Sequence, residues 1–375
     1  MLMKTFPGID VQVSALGFGA MRLPRQEDGK IDRPEATRMI RHAIDSGVNY
    51  VDTAYPYHDG ESELLVGEAL KDGYREKVVL ATKLPVWKVE KYEDMMALLD
   101  EQLAKLQVEC IDFYLLHALG AERFEMLRKL DYKKFLDTAV AQGKIKYPAF
   151  SFHDNADTFL EILNDYDWKM CQVQMNVLDG DTQATLAGIR KAAEKGVGVV
   201  IMEPLRGGLL ANPPADVQAL YDAFPVKRSA VEWSFRYLYT MPEVTTILSG
   251  MSTFAQVEDN LRIFHAADGE PLSAEEADLL AQVKETYLSR VKTRCTGCRY
   301  CQPCPMGVKI PRIFQNYDGK LLRGDTNVSE FYAKIAEEGG DFTHCVGCRQ
   351  CEDACPQHLP IIRYLQEIHA ECCGE

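Results

Sequence analysis

The chain has 375 residues, 46% hydrophobic and 26% charged, proportions that suit packed globular cores and exclude overall disorder. Its 42 basic and 56 acidic side chains give a net charge of −14, which argues against a nucleic-acid-binding protein because such proteins neutralise phosphates. No apolar run reaches the roughly 18 residues of a membrane span, and the opening MLMKTFPGID lacks the apolar segment of a signal peptide. We therefore expect a soluble, cytoplasmic protein that binds neither nucleic acid nor membrane.

Eight short apolar segments recur along residues 1–290 and alternate with segments of helical periodicity. Their nearly continuous apolar character is typical of strands buried on both faces of a parallel sheet. The segments are ALGFGAMRL, NYVDTA, VVLATKL, CIDFYLLH, IKYPAFSF, CQVQMN, VGVVIMEPL and VTTILSG. Eight strand–helix units in about 250 residues predict an α/β fold, the (β/α)8 or TIM barrel. A further helix, SAEEADLLAQVKETYLSR, follows the barrel.

The barrel sequence contains no dinucleotide fingerprint of the Rossmann type. Gly17 and Gly19 follow the first strand, but Arg22 occupies the position of the third glycine. The Rossmann interpretation therefore fails, and no Walker phosphate-binding loop is present either.

Polar residues stand at the carboxyl ends of three neighbouring predicted strands, where barrels place their active sites. Asp52 and Tyr57 follow the second strand, Lys83 lies in the third and His117 ends the fourth. Taken alone, Asp52, Tyr57 and His117 each have an ordinary structural explanation. Lys83 is the exception, because an ammonium inside an apolar parallel strand needs a charge partner. Asp52 on the neighbouring strand would supply that partner.

Together these four residues form a unit that can move a proton. A phenol has an unperturbed pKa near 10, and we expect the Lys83 ammonium, held by Asp52, to stabilise the phenolate of Tyr57 and lower that pKa. Tyr57 then protonates a carbonyl oxygen while a hydride reaches the carbon, or accepts the proton of an alcohol in the reverse direction. His117, as a neutral donor, would orient the carbonyl and stabilise its developing charge.

Cysteines divide the chain near residue 290, since two of the twelve precede this point and ten follow it. We expect residues 1–290 to form the barrel and residues 291–375 a separate domain. Eight of the ten form two runs: Cys295, Cys298, Cys301 and Cys304 before Pro305, and Cys345, Cys348, Cys351 and Cys355 before Pro356. Cysteines so spaced in a chain without a signal peptide favour metal binding over disulfides.

The spacing of the cysteines favours two [4Fe–4S] clusters. The second run is C-x2-C-x2-C-x3-C-P, in which three thiolates bind one cluster and the fourth ligates the other; the first run departs from it by one residue. Structural zinc is the competing interpretation, since paired C-x2-C units also make zinc ribbons. Between the runs, IPRIFQNYDGKLLRG and NVSEFYAKIAEEGG each predict a helix closed by glycine. The tail therefore resembles a small, mostly helical dicluster ferredoxin-like domain.

Three segments of the barrel carry a second resemblance. The stretch G-x-x-x-x-DTAYPY-x-x-x-ESE-x-x-x-G (residues 47–67), the segment IDFYLLH and the eightfold strand–helix rhythm resemble the aldo-keto reductase superfamily over about residues 5–265. The resemblance implies a nicotinamide nucleotide bound by the barrel. It also implies a catalytic tetrad formed by Asp52, Tyr57, Lys83 and His117.

The same resemblance implies a set of nucleotide contacts. Ser151 and Gln172 would bind the nicotinamide carboxamide, and Leu205 and Gly207 would lie near the pyrophosphate. The adenosine contacts would be Gly250, Ser252, Gln256, Asp259 and Asn260. Because Gln256 stands where the family usually has a basic residue for the 2′-phosphate, NADP is favoured over NAD only weakly.

The sequence thus predicts an NAD(P)H-dependent oxidoreductase that reduces a small-molecule carbonyl, or oxidises an alcohol, and carries two [4Fe–4S] clusters for electron transfer or structure. A hydride carries two electrons and each cluster passes one, so direct exchange between them needs an intermediate such as flavin, which stays open as a third cofactor. The alternative is an electron-carrying or regulatory protein, whose barrel binds nucleotide and whose clusters serve a redox partner protein.

Overall fold

The computed structural model describes residues 1–295, 297, 299–325, 327–355 and 358–374, which form two compact units. The first unit consists of Met1–Gly207 and Val231–Ser273. The second joins Gly208–Ala230 to the chain from Ala274 onward. No helix within these described ranges has both the length and the apolarity to cross a membrane.

The first unit is built on a closed barrel of eight parallel strands, counted over the described part of the chain. Two antiparallel strands, β1 (Met3–Thr5) and β2 (Gln12–Ser14), precede it. The barrel strands are β3 (Leu16–Gly19), β4 (Tyr50–Asp52), β5 (Val79–Leu84), β6 (Ile111–Leu119), β7 (Ile145–Phe152), β8 (Met170–Gln174), β9 (Gly198–Met202) and β10 (Val244–Ser249). They pair in chain order, and β10 closes the barrel on β3. The predicted (β/α)8 barrel is therefore confirmed.

Helices connect the successive strands on the outside of the barrel. They are α1 (Arg33–Asp45), α2 (Glu61–Ala69), α3 (Tyr92–Leu106), α4 (Ala121–Lys129), α5 (Tyr132–Ala141), α6 (Ala156–Asp165), α7 (Thr185–Glu194), α9 (Ala230–Tyr239) and α10 (Phe254–Ala266). The connection from β9 to α9 also contains α8 (Ala215–Ala223), which belongs to the second unit.

The first helix shows how the sequence sets the limits of these elements. The Asp32 side chain accepts a hydrogen bond from the Glu35 amide and caps α1, and Pro34 lies in its first turn, where a missing N–H costs nothing. The face that includes Met39 is buried against the barrel. The helix gives way to Gly47, whose φ of +98° is a conformation that favours glycine.

The hairpin of β1 and β2 was not among the predicted elements. Phe6 and Val13 pack on interior residues at the amino-terminal ends of the barrel strands, and the Phe6 ring lies 4.6 Å from the Phe113 ring between centroids. The two strands have three residues each, too few to give a periodicity that sequence reasoning detects.

The second unit is helical. Besides α8 it contains α11 (Ala274–Leu288), α12 (Ile310–Leu322), α13 (Ser329–Glu337), α14 (Gln350–Asp353) and α15 (Ile361–Cys373). Apolar side chains of α12, α13 and α15 share one core, with Phe314, Ile335 and Leu365 at its centre. The mostly helical tail is thus confirmed. Helix α11 belongs to this unit, whereas the predicted domain boundary, at residue 290, falls after it.

Candidate functional site

The buried lysine of β5 has the charge partner that its position requires. Its Nζ donates to both carboxylate oxygens of Asp52, at 2.7 and 2.8 Å, and to the backbone oxygen of Thr53 at 2.7 Å. The Lys83 side chain is 1% exposed. Three donors thus meet three acceptors, which meets the requirement for burying an ammonium. Burial lowers the pKa of Lys83, but Asp52 and Tyr57 outweigh burial and leave it above the usual value.

Tyr57 and His117 face each other at the carboxyl ends of the strands. The Lys83 Nζ lies 5.0 Å from the centroid of the Tyr57 ring, and that ring meets the His117 imidazole edge-on at 6.2 Å between centroids. Directly after Tyr57, His58 and Asp59 adopt left-handed conformations, with φ of +51° and +56°. The His58 ring accepts a hydrogen bond from the Leu23 amide, which ties this turn to the segment that follows β3.

The ionisation of these groups is set mainly by burial. Burial raises the pKa of Tyr57 above the usual phenol value, while the Lys83 ammonium lowers it by its charge and a hydrogen bond. The Lys83 contribution has the expected direction, but the net shift is opposite to the expected lowering, because desolvation of the phenolate is the larger effect. Burial, Lys83, His153 and Arg123 lower the pKa of His117 to about 2, so its imidazole is neutral at pH 7.

A bulge in β6 aims His117. The register between β6 and β7 shifts between Leu116 and Leu119, and Ala118 has a φ of +51°, which L residues rarely adopt. The Ala118 amide donates to the Ser151 hydroxyl oxygen at 2.7 Å. Ser151 therefore supports this bulge as well as lying at the predicted nucleotide contact.

Gln172 lies beside Ser151 with an unsatisfied acceptor. The two residues are paired in the register of β7 and β8, and each is 2% exposed. The Gln172 amide nitrogen contacts the Met202 sulfur at 3.9 Å, but its Oε1 is buried without a partner. A buried oxygen of this kind is costly unless something donates to it, and the amide group of a nicotinamide has such a donor. The two residues thus fit the predicted ligand.

The segment that follows β9 contains the predicted pyrophosphate contacts Leu205 and Gly207. Arg206 between them pairs with Asp179 at 3.0 Å, and Asp179 is nearly buried. Gly207 is exposed with a φ of +65°, and open space surrounds the position that a Cβ would take. The Arg206–Asp179 pair, which sequence reasoning did not find, therefore anchors a loop whose backbone is open to a ligand.

The predicted adenosine contacts surround the start of α10, and most of their side chains have partners within the protein. The Gln256 Oε1 accepts from the Ser252 and Thr253 amides, which makes it part of a capping box. Asn260 donates to the Ser249 hydroxyl, and Asp259 pairs with Arg262. Gly250 is exposed beside the Arg22 side chain. The structure thus brings these residues together, but the side chains of Gln256 and Asn260 make hydrogen bonds within the protein that stabilise the start of α10.

A buried network of hydrogen bonds next to Lys83 was not predicted from the sequence. Glu63 is fully buried, and its Oε1 accepts from the Thr82 hydroxyl at 2.7 Å and from the Gln102 amide at 2.5 Å. The same Gln102 amide donates to the Lys83 backbone oxygen, and the Tyr114 hydroxyl donates to the Gln102 Oε1. These bonds fix the strand that carries the ammonium. The ESE segment was the available signal, since it places a carboxylate on a helix that packs inward.

Cysteines of both runs line one cavity of about 200 Å³ in the second unit. The five are Cys301, Cys304, Cys345, Cys348 and Cys351. Burial raises the pKa of the Cys351 thiol to about 11, with smaller contributions from neighbouring groups that include Cys345 and Cys304. Cys304 of the first run is thus brought beside the first three cysteines of the second.

Of the remaining cysteines of the two runs, two lie in or against the core of the helical unit. Cys355 is buried in the core of the helical unit, and Cys295 packs against that core, where its sulfur accepts from the Gly297 amide at 3.4 Å. Cys298 lies outside the described residues. Among the residues that are described, no three His, Cys, Asp or Glu side chains converge on a point that would hold a single metal ion.

The fold and this geometry define a barrel oxidoreductase with a cysteine-rich helical tail. Residues 15–285 match the model of the aldo/keto reductase family, and residues 294–359 match that of the 4Fe-4S dicluster domain. The chain belongs to the aldo/keto reductase family and carries a 4Fe-4S dicluster domain after its barrel.

Known relatives agree with this assignment. Probable aldo-keto reductase 1 of Glycine max is 30% identical over 214 residues, 54% of this chain and 58% of the relative. Methylglyoxal reductase YeaE of Escherichia coli is 34% identical over 148 residues, 40% of this chain and 49% of the relative. The chain thus spans only about half the length of these relatives.

Solved structures agree in fold. Aldo-keto reductase AKR11C1 from Bacillus halodurans, in its holo form, has a TM-score of 0.64 and 27% identity, covering 76% of this chain and 96% of that one. An aldo/keto reductase from Klebsiella pneumoniae in complex with NADP and acetate has a TM-score of 0.59 and 23% identity, covering 75% and 95%.

The buried ion pair predicts an asymmetric response to substitution. Asp52→Asn leaves the Lys83 ammonium buried without its counter-charge, and we expect a loss of about 3–5 kcal/mol in stability. The double variant Asp52→Leu, Lys83→Met removes both charges, and most of that stability should return while activity stays absent. Thermal unfolding followed by circular dichroism measures both. Equal destabilisation of the single and double variants would show that the pair has a packing role only.

Proposed function

We propose that the barrel catalyses reversible reduction of a small-molecule carbonyl by NADPH, with Tyr57 as the proton donor. The observation that carries this proposal is the contact of one buried ammonium, that of Lys83, with both the Asp52 carboxylate and the Tyr57 ring. The unpaired Gln172 oxygen beside Ser151 supports a nicotinamide as the hydride source. The methylglyoxal reductase among the relatives supports a small carbonyl compound as the substrate.

Each residue of the proposed site has a distinct role in this reaction. NADPH, when bound, supplies the hydride that the carbonyl carbon receives. Tyr57 donates its phenolic proton to the carbonyl oxygen, so that the product is a neutral alcohol. Lys83 stabilises the phenolate that remains, and Asp52 keeps Lys83 charged. His117, neutral and close to Tyr57, donates a hydrogen bond to the same oxygen. Ser151 and Gln172 would orient the nicotinamide by its carboxamide.

Tyr57→Phe tests the proposed proton donor. Removal of the hydroxyl should lower kcat for NADPH-dependent carbonyl reduction by two or more decades, consistent with lost general-acid catalysis, while the Kd for NADPH stays within about twofold. Steady-state rates and fluorescence titration of the nucleotide measure the two quantities. Tyr55→Phe, a tyrosine two residues earlier, is the matched control. Unchanged carbonyl reduction in Tyr57→Phe would exclude Tyr57 as the proton donor. No carbonyl reduction in the wild type, with cluster reduction unchanged by Tyr57→Phe, would favour an electron-carrying protein.

The pKa directions predict how the two reaction directions depend on pH. Tyr57 has a raised pKa and so holds its proton through neutral pH, and His117, with a pKa of about 2, does not ionise near 6.5. Carbonyl reduction should therefore show a flat kcat/KM from about pH 5.5 to 8.5. Alcohol oxidation needs the phenolate and should accelerate as pH rises. An inflection near pH 6.5 that His117→Asn abolishes would show instead that His117 titrates during catalysis.

For the tail, we propose that residues 291–375 hold two [4Fe–4S] clusters with exchanged fourth ligands. One would be bound by Cys345, Cys348, Cys351 and Cys304, and the other by Cys295, Cys298, Cys301 and Cys355. Cys304 and Cys345 are close enough to Cys351 to act on its thiol electrostatically, which supports the first set, although Cys301 lines the same cavity. Each cluster supplies one-electron chemistry when bound, whereas the barrel reaction moves two electrons together. We therefore infer that carbonyl reduction proceeds without the clusters, which serve structure or a redox partner.

Cys304→Ala tests both parts of this proposal. In anaerobically purified protein we expect about four of eight iron atoms and the matching sulfide to be lost, while NADPH-dependent reduction stays within about twofold of the wild type. Cys110→Ala, a cysteine outside both runs, is the control for iron content. Loss of turnover in proportion to iron, with the circular dichroism of the barrel unchanged, would show that the clusters take part. Stoichiometric zinc in place of iron in the wild type would contradict the cofactor assignment. A bound flavin would instead supply a route between hydride and clusters and would contradict the inferred independence of the barrel reaction.

A further inference from the structure

An arginine of α4 lies close to the proposed active site. Arg123 lies in the first turn of α4, and its Nη1 donates to the Ala118 oxygen at 2.8 Å, one residue beyond His117. The Arg123 charge is among the causes that lower the pKa of His117 and of His153. The guanidinium therefore lies within electrostatic range of the proposed proton-transfer site.

This guanidinium is not neutralised by the protein. Among the described residues, Arg123 has no carboxylate within 4 Å, and its Nε and Nη2 have no acceptor. Arg128, one and a half turns later on α4, instead pairs with Glu161 and Asp165. In a chain of net charge −14, an unpaired arginine beside the site needs an explanation. Its free Nε–Nη2 edge matches the two oxygens of a carboxylate.

An exposed tryptophan lies between this arginine and the site. Trp87 follows β5, and its ring lies 5.2 Å from the His117 ring between centroids. The Arg123 guanidinium lies 5.7 Å from the centroid of the Trp87 ring. Trp87 is 44% exposed, so part of its ring is open to solvent. It offers an apolar surface on which the carbon chain of a substrate can pack between the carbonyl and an anionic end.

From these contacts we propose that Arg123 binds the carboxylate of the substrate, so that the preferred substrate of the barrel is an aldehyde or ketone that also carries a carboxylate group. The Trp87 ring packs against the carbon chain that joins the two groups. This inference rests on the proposed carbonyl reductase function and specifies its substrate class.

Matched pairs of substrates separate charge recognition from general activity. One pair is 4-oxobutanoate and its methyl ester, and the other is 4-carboxybenzaldehyde and its methyl ester. Wild-type enzyme should reduce each acid with a higher kcat/KM than its ester. Arg123→Gln should lower kcat/KM for the acids by about 10- to 100-fold, as expected for loss of a charge-assisted hydrogen bond, and change that for the esters by less than about threefold. Arg128→Gln is the control on the same helix and should leave the preference unchanged.

The conservative variant adds a readout that a structural role would not produce. Arg123→Lys keeps the charge without the planar fork and should restore the acid preference in part. Binding without turnover is measured by quenching of tryptophan fluorescence with 4-(hydroxymethyl)benzoate, which Arg123→Gln should weaken by a similar factor. Equal losses on acids and esters would overturn the proposal in favour of a structural role through Ala118. Preference for the esters in the wild type, or reduction of methylglyoxal without reduction of either acid, would overturn it and leave the reductase function intact. Inactivity on methylglyoxal and on all four compounds would overturn both.

Discussion

The active site depends on one ammonium that is held out of water. Transfer of a charge into a protein interior costs several kcal/mol unless partners replace the solvent, and Lys83 has two carboxylate oxygens and a backbone carbonyl in place of water. Those acceptors come from the end of β4 and the residue after it, so the pairing of β4 with β5 must be in register for the ion pair to form. The position of the Lys83 ammonium beside Tyr57 therefore depends on the correct pairing of these two strands.

The barrel and this ion pair could both be predicted from the sequence, for related physical reasons. Strands buried on both faces must be apolar throughout, which is why residues 79–84 predict a strand, and an ammonium within such a strand is conspicuous because it needs a counter-charge nearby. The hairpin that packs Phe6 on the barrel interior gave no such signal, since three-residue strands have no measurable period. Polar residues that violate an apolar pattern thus carry more information than the pattern itself.

Features that depend on the balance between desolvation and charge, or on the geometry of a loop, could not be derived from the sequence in this way. The sequence places Lys83 near Tyr57, but only the depth of burial determines that desolvation exceeds the pull of the ammonium on the pKa of the phenol. Ala118, next to His117, has a left-handed conformation because the strand register shifts there. No residue type in this segment indicates such a shift. Gln256 stays a predicted adenosine contact, and the structure adds that its side chain caps a helix, a use that the free amides of a helix start favour.

The proposed separation of chemistry between barrel and tail rests on the number of electrons that each moves. In the proposed reaction Tyr57 donates a proton while the carbonyl receives two electrons as one hydride, so no one-electron intermediate passes an electron to an iron–sulfur cluster. The raised pKa of Tyr57 strengthens this point, because a phenol that holds its proton until the carbonyl oxygen becomes basic favours concerted delivery of hydride and proton over a stepwise one-electron route. Clusters bound by the tail would therefore need an electron source or acceptor other than the carbonyl.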